Sequence, residues 1–526
     1  MYPADELRKI AEDCLRNRVF DLRTSAPNSQ PLASIRHYTA RAFNIPAQGN
    51  TPFMRIIPLF VLLATALFLN GCAAYRNYDQ EMQQTTDEMT KGNLTGALAL
   101  VEMHNPWEDK DLLYYLETGA ILSAGSALPE SQQAWRSADR MIFQREEANP
   151  SGAMKLLSRF GNEMGTMLVN DKLLRYEGYD YEKVMLTTQM ALNQLSVNDF
   201  DGARADIKKT HEREGLIARQ RELQYEAAEA EAKSQGITLR YKDLQGYPVA
   251  ILDAPQVLEL KNGYQSAFSH YLAGFTYEAL GERDLAAPGY RQAIELRPDM
   301  PFLQNALRNL DKPAAKADES DVLIIVQSGL APARSSVQVP IPVRLNENLV
   351  IVAPISFPVM IPDAVTPTFN HLKVDGRKQP LTVINSVTDM AMRTLRDDMP
   401  EIISRAMFRA NMAAIGQAQE NERNPAKASL VVTNKDPFEE ADTRTWRALP
   451  DKTLVTRLRL KKGLHTVDVP IYPPGYPLTL RVDQDHQILN LRVFRDQTYY
   501  VGSAFVAPAT PLPEKVRPSK QVMAPN

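Results

Sequence analysis

AFSHYLAGFTYEALGERDLAAPGYRQAIELRPDM, residues 267–300, holds two helical patterns on either side of Gly281. Small residues at Gly274 and Ala286 allow the two helices to approach closely, and Tyr277 and Tyr290 fill the layer between them. Gly281 occupies the turn and Pro298 closes the unit. The surroundings agree. From Tyr75 to about Leu310 the chain is rich in Ala, Leu, Glu, Gln and Arg and poor in β-branched clusters, so helices are expected throughout.

The unit resembles the tetratricopeptide repeat, a helix–turn–helix of about 34 residues. Gly274 and Tyr277 fall where that family places a small residue and an aromatic in its first helix. Ala286, Tyr290 and Ala293 take the small–aromatic–small positions of the second, and His270 stands where a Trp is usual. Fainter units precede it. Val184–Glu212 keeps Ala191 and Ala203 at matching offsets with a turn at Asn198-Asp199. Tyr115–Ile142 has Gly119, a turn near Gly125 and Trp135, and Lys91–Glu102 reads as a turn followed by a second helix. Each such pair must bury its apolar face on a neighbour, so the resemblance implies a stack of helix pairs. Glu212–Gln235 is a charged helix whose apolar positions are too sparse for a coiled coil, which leaves a solvated bridge between repeats.

Composition changes after a Pro/Ala/charge linker at 313–320. Short β-branched and aromatic runs bounded by Pro, Gly, Asn and Asp, such as DVLIIVQSGL, VTRLRL and ILNLRVF, predict closely spaced strands. The runs between Leu454 and Ala507 suggest a small antiparallel sandwich, while Pro340, Pro342, Pro354 and Pro358 mark the early strands as edges. One helical insertion, about 387–419, is expected to break into two helices at Pro400. The expected fold is therefore α+β and multidomain. A tetratricopeptide-like solenoid at 72–312 precedes a β-rich, sandwich-like domain at 321–510, and a disordered Pro/Lys-rich tail follows at 511–526.

Location is written near the start. Residues 54–74 read MRIIPLFVLLATALFLNGCAA: a basic start, an apolar core from Ile56 to Leu69, and small residues around Cys72. The alternative, a transmembrane anchor, would need a run of roughly 20 apolar residues, and this one is shorter. Leu69-Asn70-Gly71-Cys72 resembles the lipobox of bacterial lipoproteins, which implies cleavage between Gly71 and Cys72 and lipid attachment at Cys72. Ala73 in the next position implies export to the outer membrane in that family. Because a signal acts at the extreme N-terminus, Met54 is the expected start and residues 1–53 a doubtful extension; a cytoplasmic extension is the alternative. Two or more acyl chains anchor a protein stably, so a firmly tethered peripheral protein is expected.

A net charge of −3 from 60 basic and 63 acidic side chains gives no basic face for nucleic acid. With only Cys14 and Cys72, no disulfide is expected once Cys72 carries lipid. The chain holds no phosphate-binding Gly-rich loop, no His-Glu-x-x-His pair and no Gly-x-Ser-x-Gly elbow. Its 7 histidines lack metal-ligand spacing, so neither metal nor cofactor is expected. DTRTWRALPDKT (442–453) places Trp446 between Arg444 and Arg447, which reads either as a partner-contact hot spot or as an anchor holding the loop on the sandwich. YEGYDYEKV (176–184) is an aromatic-rich turn before a helix. Together the lipobox, this Tyr-Glu-x-Val helix start, the repeats and the β-rich end resemble a Gram-negative lipoprotein family without established activity. The expectation is a periplasm-facing outer-membrane lipoprotein, a non-catalytic scaffold whose helical groove takes a protein or peptide partner. The alternative is a cell-wall or polysaccharide-processing enzyme with its site in the β-rich domain.

Overall fold

The computed structural model describes residues 78–148, 175–234, 239–312, 316–433, 440–470, 478–495 and 497–506. The expected extension 1–53, signal 54–71, Cys72 and tail 511–526 lie outside them. Eight helices form four antiparallel hairpins: α1 (Tyr78–Thr90) with α2 (Leu94–His104), α3 (Leu112–Ala124) with α4 (Leu128–Ala148), α5 (Asp180–Leu195) with α6 (Phe200–Ser234), and α9 (Ala267–Ala279) with α10 (Arg283–Leu296). Two single-turn helices, α7 (Val249–Leu252) and α8 (Pro255–Leu258), lead into the fourth hairpin, and α11 (Pro301–Asn309) follows it.

One register governs all four hairpins. Thr85, Gly119, Ala191 and Gly274 sit on the first helix, and seven residues later Gly92, Ser126, Asn198 and Gly281 each turn with positive φ. In every turn the next residue's N–H returns to the carbonyl five residues back: Asn93 to Glu88, Ala127 to Leu122, Asp199 to Gln194, Glu282 to Tyr277. Ala97, Ser131, Ala203 and Ala286 then mark the close approach on the second helix, all fully buried. Val101, Trp135, Ile207 and Tyr290 lie sixteen residues after the first small position. The pairing is steric. A Cβ on Gly119 would lie 2.3 Å from the Trp135 ring, and one on Gly274 would lie 2.6 Å from the Tyr290 ring. Gly289 closes the fourth hairpin further, since a Cβ there would meet the Gly274 nitrogen at 2.8 Å.

The strands form two five-stranded sheets and a long hairpin. The central sheet has the order β11 (Gln497–Val501), β10 (His486–Phe494), β1 (Glu319–Ser328), β7 (Lys452–Lys461), β6 (Thr382–Ser386). The second has the order β12 (Phe505–Val506), β9 (Leu478–Val482), β8 (Gly463–Asp468), β4 (His371–Val374), β5 (Arg377–Pro380). Strands β2 (Ala333–Asn346) and β3 (Leu349–Ile361) pair only with each other among the named strands, which accommodates Pro340 opposite Pro354. Two expectations change here. The late strands are shared between both sheets rather than forming their own antiparallel sandwich, and β10 runs parallel to β1. Strand β1 starts at Glu319, inside the expected linker.

Strand β1 explains why helices and sheets share one interior. Val322, Ile324 and Val326 point into the second sheet, against Leu372, Val467 and Leu480. Leu323 and Ile325 point the other way, into Leu195, Phe268 and Phe275 of the helices. A strand covered on both faces reads as a continuous apolar run. The boundary near 313–320 is thus one of composition, not of packing, and all described residues belong to one compact unit. The remaining helix, α12 (Val387–Arg423), lies along β2 and β3 and continues through Pro400 instead of breaking there. Its buried stripe Ala391, Leu395, Met399, Ile403, Ala406, Ala410, Ala414 keeps helical spacing across the proline. Packing along that stripe outweighs the one backbone hydrogen bond forfeited to Arg396. No described helix is long and apolar enough to cross a membrane.

Candidate functional site: a loop held by two buried carboxylates

The first helices of the last three hairpins are covered on both sides. In α3, 11 of 13 residues are buried, in α5, 13 of 16, and in α9, 11 of 13, against 5 of 14 in the second helix α10. What covers α3 and α5 is the extended segment around Thr445–Ala448. Glu182 on α5 accepts the Trp446 N–H at 2.7 Å and the Thr445 hydroxyl at 2.9 Å on Oε1. Its Oε2 accepts the Tyr179 N–H at 3.0 Å and the Tyr176 hydroxyl. Glu117 on α3 accepts the Arg447 N–H at 2.6 Å and the Tyr78 hydroxyl at 2.9 Å on Oε1, and the Ala448 N–H at 2.8 Å on Oε2. Three successive backbone donors are therefore met by side chains of two helices, which an irregular buried segment requires.

Burial pushes the Glu117 carboxyl up to about 7, with the backbone donors and Tyr78 pulling against it. Burial likewise raises Glu182. Around them the cations are committed. Arg444 forks onto Asp442, with Nε at 2.8 Å from Oδ1 and Nη2 at 2.7 Å from Oδ2, and lies over the Tyr176 ring. Arg334 covers the Tyr179 ring at 4.7 Å and donates to the Asp442 carbonyl at 2.9 Å. Arg447 reaches the Ala331 carbonyl. Fully buried Arg492 donates to the carbonyls of Gln327, Val493 and Ala448, and burial pulls it down to about 9.

These positions correct the expected partner contact at Arg444, Trp446 and Arg447. Trp446 is 0 % exposed and packs edge-on against Trp135, so no partner can touch it. Its side chain holds the loop, though on the helical layer rather than on a sandwich. The helical face expected to take a peptide is filled by the chain itself, with Thr445–Ala448 on α3 and α5 and the central sheet on α5 and α9. The repeat residues are brought together: Gly274, Ala286, Tyr290 and Ala293 are packed between α9 and α10, Tyr277 is buried beside them, Gly281 makes the turn and Pro298 follows the last helical turn. Gly71 and Cys72 lie outside the described residues. Glu117 is a lone acid in the apolar stretch LLYYLETGAIL, a signal for a buried carboxylate, whereas Glu182 is masked by Glu177, Asp180 and Lys183 in YEGYDYEKV.

A second acidic group, Glu278, Asp321 and His486, places three potential ligand atoms within 4.8 Å. Both carboxylates are taken by the Arg457 guanidinium, Nη2 lying 2.8 Å from Glu278 and 2.6 Å from Asp321. The donor set is a hub tying α9 to β1 and β7, with its charge already balanced by Arg457.

No known protein family matches the chain, and no curated protein matches it. One solved structure is similar: the crystal structure of a tetratricopeptide repeat protein from Parabacteroides merdae ATCC 43184 at 2.39 Å resolution. The likeness covers 44% of this chain and 98% of that one at 14% identity, and a TM-score of 0.12 lets it carry no argument.

Proposed function

We propose that this protein is a lipoprotein held at the periplasmic face of the outer membrane through Cys72, where a tetratricopeptide-like solenoid fused to β-sheets serves as a non-catalytic scaffold or protein-binding accessory factor in envelope assembly or secretion. The observation that carries this reading is the apolar run Ile56–Leu69 ending in Leu69-Asn70-Gly71-Cys72-Ala73. The four hairpins in one register support the scaffold part, since repeated helix pairs form a stiff body with extended outer surfaces. Because the inner face of the helices is self-filled, the partner docks on the outside. Met103, Trp107 and Phe143, each 58% exposed, are the large apolar side chains available on the first two hairpins and the loop between them.

Two measurements test it. Cys72→Ser should accumulate uncut precursor that no longer fractionates with the outer membrane; normal cleavage and unchanged fractionation of the serine variant refute the anchor. A photo-crosslinking residue at position 107 should capture one discrete envelope protein in intact cells, and the absence of any discrete adduct there removes the outer-surface docking.

A further inference from the structure

The outer face of the first hairpin, α1 and α2, carries an open groove of about 490 Å³, lined by Gln84, Asp87 and Glu88 on one side and Ala99, Leu100 and Met103 on the other. The common register shows what such a face does elsewhere in the stack. Counted from the small positions, Asp87, Leu100 and Met103 correspond to Asn193, Asp206 and Lys209 of the third hairpin. All three of these reach back to the second hairpin. Asn193 Nδ2 donates to Ser131 Oγ at 2.9 Å and its Oδ1 accepts the Ser123 hydroxyl at 2.8 Å; Asp206 Oδ2 accepts from Gln132 at 3.0 Å, and Lys209 donates to Asp139 at 2.9 Å. The groove is therefore the surface on which a preceding hairpin packs, and among the described residues none precedes α1. We propose that an amphipathic helix of a partner protein occupies it and extends the stack.

On the lipid-anchored reading, which this occupant presupposes, only residues 72–77 lie ahead of α1, against about 34 for a helix pair, so the missing helix comes from another molecule. The chemistry of the face fixes that of its occupant. Asn193, Asp206 and Lys209 meet polar partners, whereas Ala99, Leu100 and Met103 form an apolar row at helical spacing, with Met103 58% exposed. A terminal repeat that closed the stack would present polar residues here. Aliphatic side chains three and four residues apart on an incoming helix match such a row, and the small Ala99 lets that helix approach closely. On the α1 side the rim holds two carboxylates, Asp87 and Glu88, and one ammonium, Lys91, which bonds to Glu88 at 2.9 Å. The rim is thus net negative, and the helix carries a Lys or Arg beside its aliphatic stripe, opposite Asp87.

A photo-crosslinking residue at position 99 or 103 of the full-length protein in intact cells should give an adduct with one envelope protein, mapped by mass spectrometry to partner residues three or four apart. The same residue in place of Gln83 or Thr95, just outside the groove, should give at least about tenfold less. Ala99→Arg and Asp87→Lys, each checked for an unchanged melting point, should cut the adduct from position 103 by a similar factor. Partner contacts at every second residue, as in a strand, overturn the proposal, and so does an adduct with a second copy or within this chain. An adduct that neither substitution alters also overturns it. Capture at position 107 with none at 99 or 103 overturns the helix in the groove and leaves outer-surface docking standing; capture at none of the three removes both.

Discussion

The indoles of Trp135 and Trp446 meet edge to face, with centroids 6.0 Å apart and planes at 72°. The first indole belongs to the second helical hairpin and itself fills the space above Gly119; the second belongs to a loop more than three hundred residues later. Trp446→Ala should therefore cost ~3–5 kcal/mol of stability. A double-mutant cycle with Trp135→Ala should return a coupling of ~0.5–1.5 kcal/mol. Denaturant unfolding monitored by circular dichroism measures both, and an unshifted midpoint in the single variant would contradict the buried loop.

Glu117 makes stability fall with rising pH. Its folded pKa of about 7 lies above the ordinary value of 4.5, so between these limits the folded protein holds a proton that the unfolded chain has lost. Stability from this group is fully present below about pH 4.5 and is lost as pH rises through 7, by ~3 kcal/mol in all at about 1.4 kcal/mol per unit. Glu117→Gln should flatten that part of the stability–pH curve. Urea midpoints for both proteins at about pH 5 and pH 7.5 decide the matter. A slope that survives the substitution assigns the effect to another group.

His465 behaves oppositely. Its Nδ1 lies 2.6 Å from Asp375 Oδ2 and its Nε2 2.7 Å from the Lys461 carbonyl, so both nitrogens face acceptors, which favours the imidazolium. Burial pulls its pKa down, but the Asp375 hydrogen bond and the Lys461 carbonyl outweigh that and raise it above 6.5. The clasp between the β4–β5 turn and β8 is therefore intact below the unfolded pKa and lost as pH rises through the folded one. An NMR titration should show the His465 ring midpoint falling on Asp375→Asn. An unchanged midpoint would show that Asp375 does not hold the proton.

Ala286→Arg should unfold the fourth hairpin. Ala286 is 0 % exposed where α10 meets α9, and a buried long cation adds overpacking to an unpaired charge, together ~3 kcal/mol or more. Gly281→Ala should be far milder, at ~1 kcal/mol, because its φ is +76° but no atom lies within 4 Å of the added Cβ. Thermal melts that rank these two variants in the reverse order would exclude close packing at Ala286.

Local units follow from short-range residue patterns. Gly281 and Asn198, which tolerate the left-handed turn, and the spacing of Gly274, Ala286 and Tyr290 act within thirty residues, so the hairpins were legible. So were strands bounded by Pro and Gly, and the change of composition near 313–320. Less local matters needed the tertiary structure. Parallel pairing of β1 with β10 joins segments far apart in the chain, and no pattern within either strand selects it. Pro400 is a helix breaker by local rules, yet the packed stripe from Ala391 to Ala414 overrides it. Trp446 between two arginines carries the same letters whether exposed or enclosed. Its burial depends on Glu117 and Glu182 lying on two helices spaced so that three consecutive backbone donors are satisfied, and that distance exists only once the hairpins have stacked.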